Sequence, residues 1–113
     1  MTDDQRQARI GRNEALFREV NERIEDLNRG FAAVSDGKMH VVCECGEHTC
    51  VDQLVVTPEE YEEVRADPLQ FLVKPGHEIL SSEDVVAERS EYLIVAKKRG
   101  IPRRIARETD PRR

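Results

Sequence analysis

Three cysteines fall within eight residues, Cys43-Glu44-Cys45-Gly46-Glu47-His48-Thr49-Cys50, and the 113-residue chain has no others. Cys43 and Cys45 are two apart in an extended segment, so their side chains leave on the same face. Gly46 is read as the residue that turns the backbone sharply and returns Cys50 toward them. An odd, tight cluster is a poor disulfide framework. Three converging thiolates suit one soft divalent ion, and zinc, with four tetrahedral ligands and sulfur at about 2.3 Å, is the natural occupant. The spacing predicts a zinc-knuckle-like CxCx4C turn. The plainer alternative is three reduced thiols acting as small buried hydrophobes.

The fourth ligand is sought among three histidines, an acid, water or a group from another molecule. His40 shares the strand of the cysteines with opposite parity, so it points to the other face. His48 lies inside the four-residue loop, where ligation would strain the backbone. His77 follows Pro75-Gly76, a preset turn after an apolar segment, and can approach from a separate element. The expected metal ligands are therefore Cys43, Cys45, Cys50 and His77. A Cys3His set closed by protein is structural, whereas water in the fourth position would open the site to chemistry. Glu44, Glu47 and Glu78 are candidate bases by position alone, and no catalytic residue is assigned.

The octet resembles the post-SET segment of histone lysine methyltransferases, which has the same C-x-C-G-x3-C arrangement. There the three cysteines bind zinc and the fourth ligand comes from elsewhere in the chain. This likeness covers 8 of 113 residues. The chain is too short for a methyltransferase and has no recognisable cofactor motif, so the resemblance implies metal geometry only. Over a longer stretch the chain resembles a group of small uncharacterised actinobacterial proteins. The shared features are Asn13-Glu14-Ala15-Leu16-Phe17-Arg18-Glu19-Val20-Asn21-Glu22-Arg23, the Cys octet, Glu60-Tyr61 with Val64-Arg65, and Pro75-Gly76-His77. The Tyr92 strand and the closing Asp110-Pro111-Arg112 complete them. That resemblance implies that Cys43, Cys45, Cys50 and His77 matter as a set, and brings no assigned activity.

The elements that must position these groups are readable around them. Residues 1–30 form the N-terminal helix. Ile10, Phe17, Val20, Ile24, Leu27 and Phe31, with Asn13 in one seam position, follow a heptad spacing. That seam is expected to pack on the body, with contacts to a second copy or a partner helix as a further use. Gly30 is placed as the stop, and the first nine residues, lacking apolar anchors, are expected to fray. Ser35-Asp36-Gly37-Lys38 is a turn. Residues 39–45 and 51–57 read as strands. Thr57-Pro58-Glu59-Glu60 opens a short helix over Pro58–Ala66, with a capping box and proline at its first position. Phe71-Leu72-Val73 is a strand. Residues 83–88 fit either a helical turn or a strand, and Arg89-Ser90 a hairpin turn. Tyr92 to Lys97, apolar on both faces, reads as a central strand. Gly100-Ile101-Pro102 is a break before a last short helix anchored by Ile101 and Ile105. The expected fold is α+β: a long N-terminal helix on a small, mostly antiparallel sheet. Residues 31–98 form the zinc-binding body and 99–113 a basic tail.

Composition bounds the rest. Charged residues make up 36% and aromatics 4% of the chain, so the core must be small and aliphatic. No apolar run approaches the roughly twenty residues of a membrane span. The polar start Met1-Thr2-Asp3-Asp4-Gln5 has no apolar signal core behind it, so a cytoplasmic protein is expected. The net charge of −5 divides into −1 over residues 1–30, −10 over 31–96 and +6 over 97–113. An acidic body repels phosphates, while the tail can reach a phosphate backbone or dock on the body itself.

The expected function is a small zinc-binding protein with a structural metal, acting as a protein-interaction or regulatory module through the N-terminal helix. One alternative is nucleic-acid binding through Arg99, Arg103, Arg104, Arg107, Arg112 and Arg113. Another is a thiol-redox or zinc-site enzyme, since oxidation can release cysteine-bound metal. No phosphate loop, nucleophile elbow or H-E-x-x-H motif is present.

Overall fold

Thr2 and Gln5 start the long helix as a reciprocal pair. The Gln5 N–H donates to Thr2 Oγ1 at 3.1 Å, and the Thr2 N–H donates to Gln5 Oε1 at 2.9 Å. With Asp3 and Asp4 in the first turn, this capping box satisfies free N–H groups and complements the helix dipole. The helix α1 therefore runs Asp3–Gly30, and the expected fraying of the first nine residues is not found. These coordinates are a computed structural model that describes residues 2–30 and 37–112. Phe31, the end of the expected seam, and Ser35 and Asp36 of the expected turn lie outside them.

The architecture is α+β, as the sequence predicts, but the strands divide between two antiparallel sheets. Strands β1 (Met39–Val42) and β2 (Gln53–Val56) pair with Val41 opposite Leu54. Helix α2 (Pro58–Arg65) follows, opened by the predicted box between Thr57 and Glu60. Strands β3 (Gln70–Val73), β4 (Glu83–Glu88) and β5 (Leu93–Lys97) form the second sheet in the order β3-β5-β4. The ambiguous segment 83–88 is thus a strand, closed on β5 by Arg89 N–H donating to Tyr92 C=O. Strand β5 is central as expected, with Leu93, Ile94 and Val95 buried. The segment after Cys43 joins the sheets. Cys43 N–H donates to Asp52 C=O at 2.9 Å on the β2 side, and Glu44 N–H donates to Leu72 C=O of β3 at 2.7 Å.

Two aliphatic clusters fill the interior. One gathers Met39, Val41, Leu54, Val56, Tyr61, Val64, Leu72 and Ile94. The other gathers Phe71, Val73, Leu93, Val95 and Ala106, and Cys43 and Cys45 belong to it.

The face α1 turns to this body is centred beside the apolar seam, of which Ile10, Asn13 and Ile24 make contact at its edge. Its buried stripe is Gly11, Glu14, Arg18, Asn21 and Glu25, with the same alternation of three and four residues but a different register. Leu16, Val20 and Leu27 stay exposed, and Phe17 and Ile24 are half-buried at the margin. Polar residues can occupy a buried face when each finds partners. Arg18 donates to Pro68 C=O at 2.7 Å and Ala106 C=O at 2.8 Å, and its guanidinium lies 4.8 Å from the centre of the Phe71 ring. Asn21 pairs with Val42 like an extra strand, donating to its C=O and accepting from its N–H, both at 2.8 Å.

Helix α3 (Ile101–Glu108) crosses α1 at Gly11, where a Cβ would lie 2.9 Å from Ile105 Cδ1 and 3.2 Å from Pro102 Cα. Pro102 does not break structure here. It sits in the first helical turn, where its missing N–H has no helical partner to lose. Beyond α3 the chain folds back on acidic groups: Asp110 meets Arg65, and Arg112 meets Glu22, Glu25 and Glu62. Among the described residues no helix is long and apolar enough to cross a membrane.

Candidate metal centre

The segment after β1 does the first part of the assembly. Cys43, Glu44 and Cys45 follow directly on β1, which ends at Val42; the two thiols join one donor cluster, and the Glu44 carboxylate meets Asn21 and Leu72 instead. Glu44 is fully buried there. Its Oε1 accepts from Leu72 N–H at 3.0 Å and its Oε2 from Asn21 Nδ2 at 2.8 Å. Burial raises its pKa, against those hydrogen bonds and the charges of Arg65 and Arg18. Glu44 is therefore a pin between α1 and β3 and not a base beside the cysteines, which removes one of the three acids proposed by position.

The turn that returns Cys50 is closed by Cys50 N–H donating to Glu47 C=O at 3.0 Å. Gly46 does not supply a left-handed backbone, since positive φ is confined to Gly37, Gly76 and Gly100 among the described residues. Gly46 is required for space: a Cβ there would meet Ile10 Cγ2 at 2.6 Å and Ile79 Cδ1 at 3.1 Å. Asn13 Nδ2 donates to its carbonyl at 2.9 Å. The seam residues Ile10 and Asn13 thus hold the metal loop against α1.

His77 comes from the other side. Lys74-Pro75-Gly76-His77 is a four-residue turn in which His77 N–H donates to Lys74 C=O at 2.9 Å. Gly76 has φ +94°, so proline fixes one central residue and glycine permits the other. The imidazole Nδ1 then lies 3.6 Å from Cys43 Sγ and 3.6 Å from Cys50 Sγ. The four donor atoms of Cys43, Cys45, Cys50 and His77 all fall within 4.8 Å of one another. His40 is exposed on β1, and His48 is exposed and paired with Glu47 at 3.2 Å, so neither joins the cluster.

These donors can hold a metal ion. For a tetrahedral ion with sulfur at about 2.3 Å and nitrogen at about 2.05 Å, the edge between the two donors is about 3.6 Å. The two sulfur–nitrogen separations match it. Each sulfur also has a backbone N–H aimed at it. Lys74 donates to Cys43 at 3.2 Å, Glu47 to Cys45, and Asp52 to Cys50. His77 Nε2, the nitrogen left free when Nδ1 binds metal, is 3.4 Å from Asp52 Oδ2, the carboxylate–imidazole arrangement that orients metal-bound histidines. Asp52 went unnoticed in the sequence; its signal was an acid two residues after the last cysteine.

The protons of the cluster tell the same story. A hydrogen bond from Cys43, helped by Glu47 N–H, His77 and Cys50, pushes Cys45 down to about 5 against the effect of burial. Cys43 is pushed up by that same bond and by burial, and Cys50 is raised chiefly by burial. The Cys45 and His77 side of the cluster borders a surface cavity of about 490 Å³, with Arg6, Arg9, Glu47 and Glu78 around its rim.

Searches against protein families, curated proteins and solved structures find no match for this chain. What defines its class is the fold and the site: a small α+β protein with a Cys3His cluster able to bind metal.

Proposed function

We propose that this is a small zinc-binding protein whose ion is structural and which serves as a protein-interaction or regulatory module. The observation that supports the metal reading is the convergence of four protein donors from two distant stretches within 4.8 Å, with two sulfur–nitrogen separations of 3.6 Å that suit a tetrahedral ion. Three thiolates and a neutral imidazole leave a zinc complex with a net charge of −1, a weak Lewis acid with no open position for water. Closing 43–50 onto 74–77 adds binding energy to a thin core. The interaction role is supported by Leu16, Val20 and Leu27, which form an apolar stripe on α1 that the body leaves uncovered.

The test is elemental analysis and native mass spectrometry of freshly prepared protein. One zinc per chain is expected, lost in Cys45→Ser together with cooperative folding. Zinc-free protein that is well ordered overturns the reading. A His77→Ala variant that keeps both ion and fold would favour an open, catalytic site. For the interaction role, Leu16→Ser with Leu27→Ser should abolish concentration-dependent association measured by sedimentation while leaving the zinc content unchanged.

A further inference from the structure

The basic segment 97–113 does not behave as one unit. Lys97 is buried between two carboxyls, Lys98 pairs with Asp84, and Arg112 is held by Glu22, Glu25 and Glu62. Arg99, Arg103, Arg104 and Arg107 differ. They gather around a single acid, Glu108. All four line one hollow of about 280 Å³ along α3, together with Gly100 and Glu108. The opposite face of α3 is fixed to the body through Pro102 and Ala106, both buried. The patch is therefore presented on a rigid element, in a protein whose net charge is −5.

We infer that the Arg99, Arg103, Arg104 and Arg107 face of α3 is a docking surface for the phosphate backbone of duplex nucleic acid. Guanidinium forks match phosphate oxygens in pairs, and four of them with a single acid in one hollow favour a ligand carrying several anions. Arg103 and Arg107 are four residues apart on a helix, about 6 Å of rise, a spacing that lets them reach neighbouring phosphates of one strand. None of the residues that line the hollow is aromatic, so it offers no aromatic platform for unpaired bases. That favours a duplex over a single strand and backbone contacts over base reading. The acidic body confines the contact to this face.

The experiment uses the full-length, metal-replete chain and fluorescence anisotropy with a labelled 20-base-pair duplex of mixed sequence. Four phosphate contacts predict a log–log salt slope of about −3.6, so affinity should fall about 150-fold between 50 and 200 mM salt. Arg103→Ala with Arg107→Ala should halve that slope, to a fall of about 12-fold over the same range. Arg112→Ala, whose guanidinium is already satisfied, should leave the slope unchanged. Circular dichroism confirms that each variant keeps its fold. Single strands of the same length and polyglutamate should compete more weakly than duplex. The inference is overturned by no binding at 50 mM salt, by an unchanged slope in the double variant, or by equal loss in Arg112→Ala. Tighter binding of inorganic polyphosphate than of duplex would identify a free polyanion in place of nucleic acid and also refute it.

Discussion

Glu14 offers the sharpest test of how this fold is held together. Its side chain and that of Glu83 flank Lys97 Nζ, each oxygen 2.5 Å from the nitrogen, with all three groups almost fully buried. One ammonium cannot neutralise two carboxylates in a dry site. Burial raises Glu14 to about 8, with Glu83 adding to the effect and Lys97 opposing it, and its Oε1 finds no hydrogen-bond partner among the described residues. At neutral pH the folded protein therefore holds Glu14 protonated, whereas the unfolded chain ionises it near 4.5. The folded pKa is the higher one. The stability linked to this proton is complete below about 4.5 and is lost as pH rises through about 8, at up to about 1.4 kcal/mol per pH unit. Between pH 6 and 8 the loss is about 2 kcal/mol, and above pH 9 it levels off at about 5 kcal/mol. That is large against a whole-domain stability of about 5–15 kcal/mol. Glu14→Gln copies the shape of the protonated acid and cannot ionise. Urea unfolding of both proteins from pH 5 to 10 isolates the effect, because every other titrating group cancels in the difference and any fixed cost of the amide is a constant offset. The variant should gain on the parent by about 2 kcal/mol between pH 6 and 8. Parallel stability curves would refute the reasoning.

Three further outcomes follow from named contacts. Asp52→Asn weakens the partner of His77 Nε2, 3.4 Å away, and should cost about 10–100-fold in zinc affinity measured by chelator competition, with stoichiometry unchanged. Gly46→Ala drives a methyl to within 2.6 Å of Ile10 Cγ2 and should destabilise by about 1–3 kcal/mol; adding Ile10→Ala should recover part of that loss in chemical denaturation, which a backbone-strain explanation does not allow. Arg65→Met removes the buried partner of the half-buried Glu22 and Asp110 and should cost about 3 kcal/mol in thermal or urea unfolding.

Much of the site was legible in the sequence because its determinants are local. Cysteine spacing, the Pro75-Gly76 turn and the parity that excludes His40 each depend on a few adjacent residues. The capping box at Thr57 and the central strand from Leu93 are legible for the same reason. The buried face of α1 was not. Hydropathy assigns Glu14, Arg18, Asn21 and Glu25 to solvent, and what buries them are partners 21 to 88 residues away, such as Val42 for Asn21 and Ala106 for Arg18. The apolar seam guided packing only in part: Ile10, Asn13 and Ile24 meet the body, while Val20 and Leu27 stay exposed. Thr2-Asp3-Asp4-Gln5 did carry a local capping signal, which the lack of apolar anchors in the first nine residues concealed.

The dipeptide step between Cys43 and Cys45 ties the candidate metal site to the packing of the fold. Because successive side chains alternate, the segment that aims two thiols at one ion must aim Glu44 at the opposite side. That carboxylate joins Asn21 of α1 to Leu72 of β3 through two hydrogen bonds. Asn21 in turn caps the free edge of β1 through both polar groups of Val42. A metal that fixes the direction of the Cys43 and Cys45 side chains thereby fixes Glu44, and through it the register of the long helix on the sheets. The polar stripe of α1 tolerates little slippage, since a shift by one residue would leave Glu14, Arg18 and Asn21 buried without partners at several kcal/mol each. Structural zinc in this chain would act on helix placement as much as on the loop it binds.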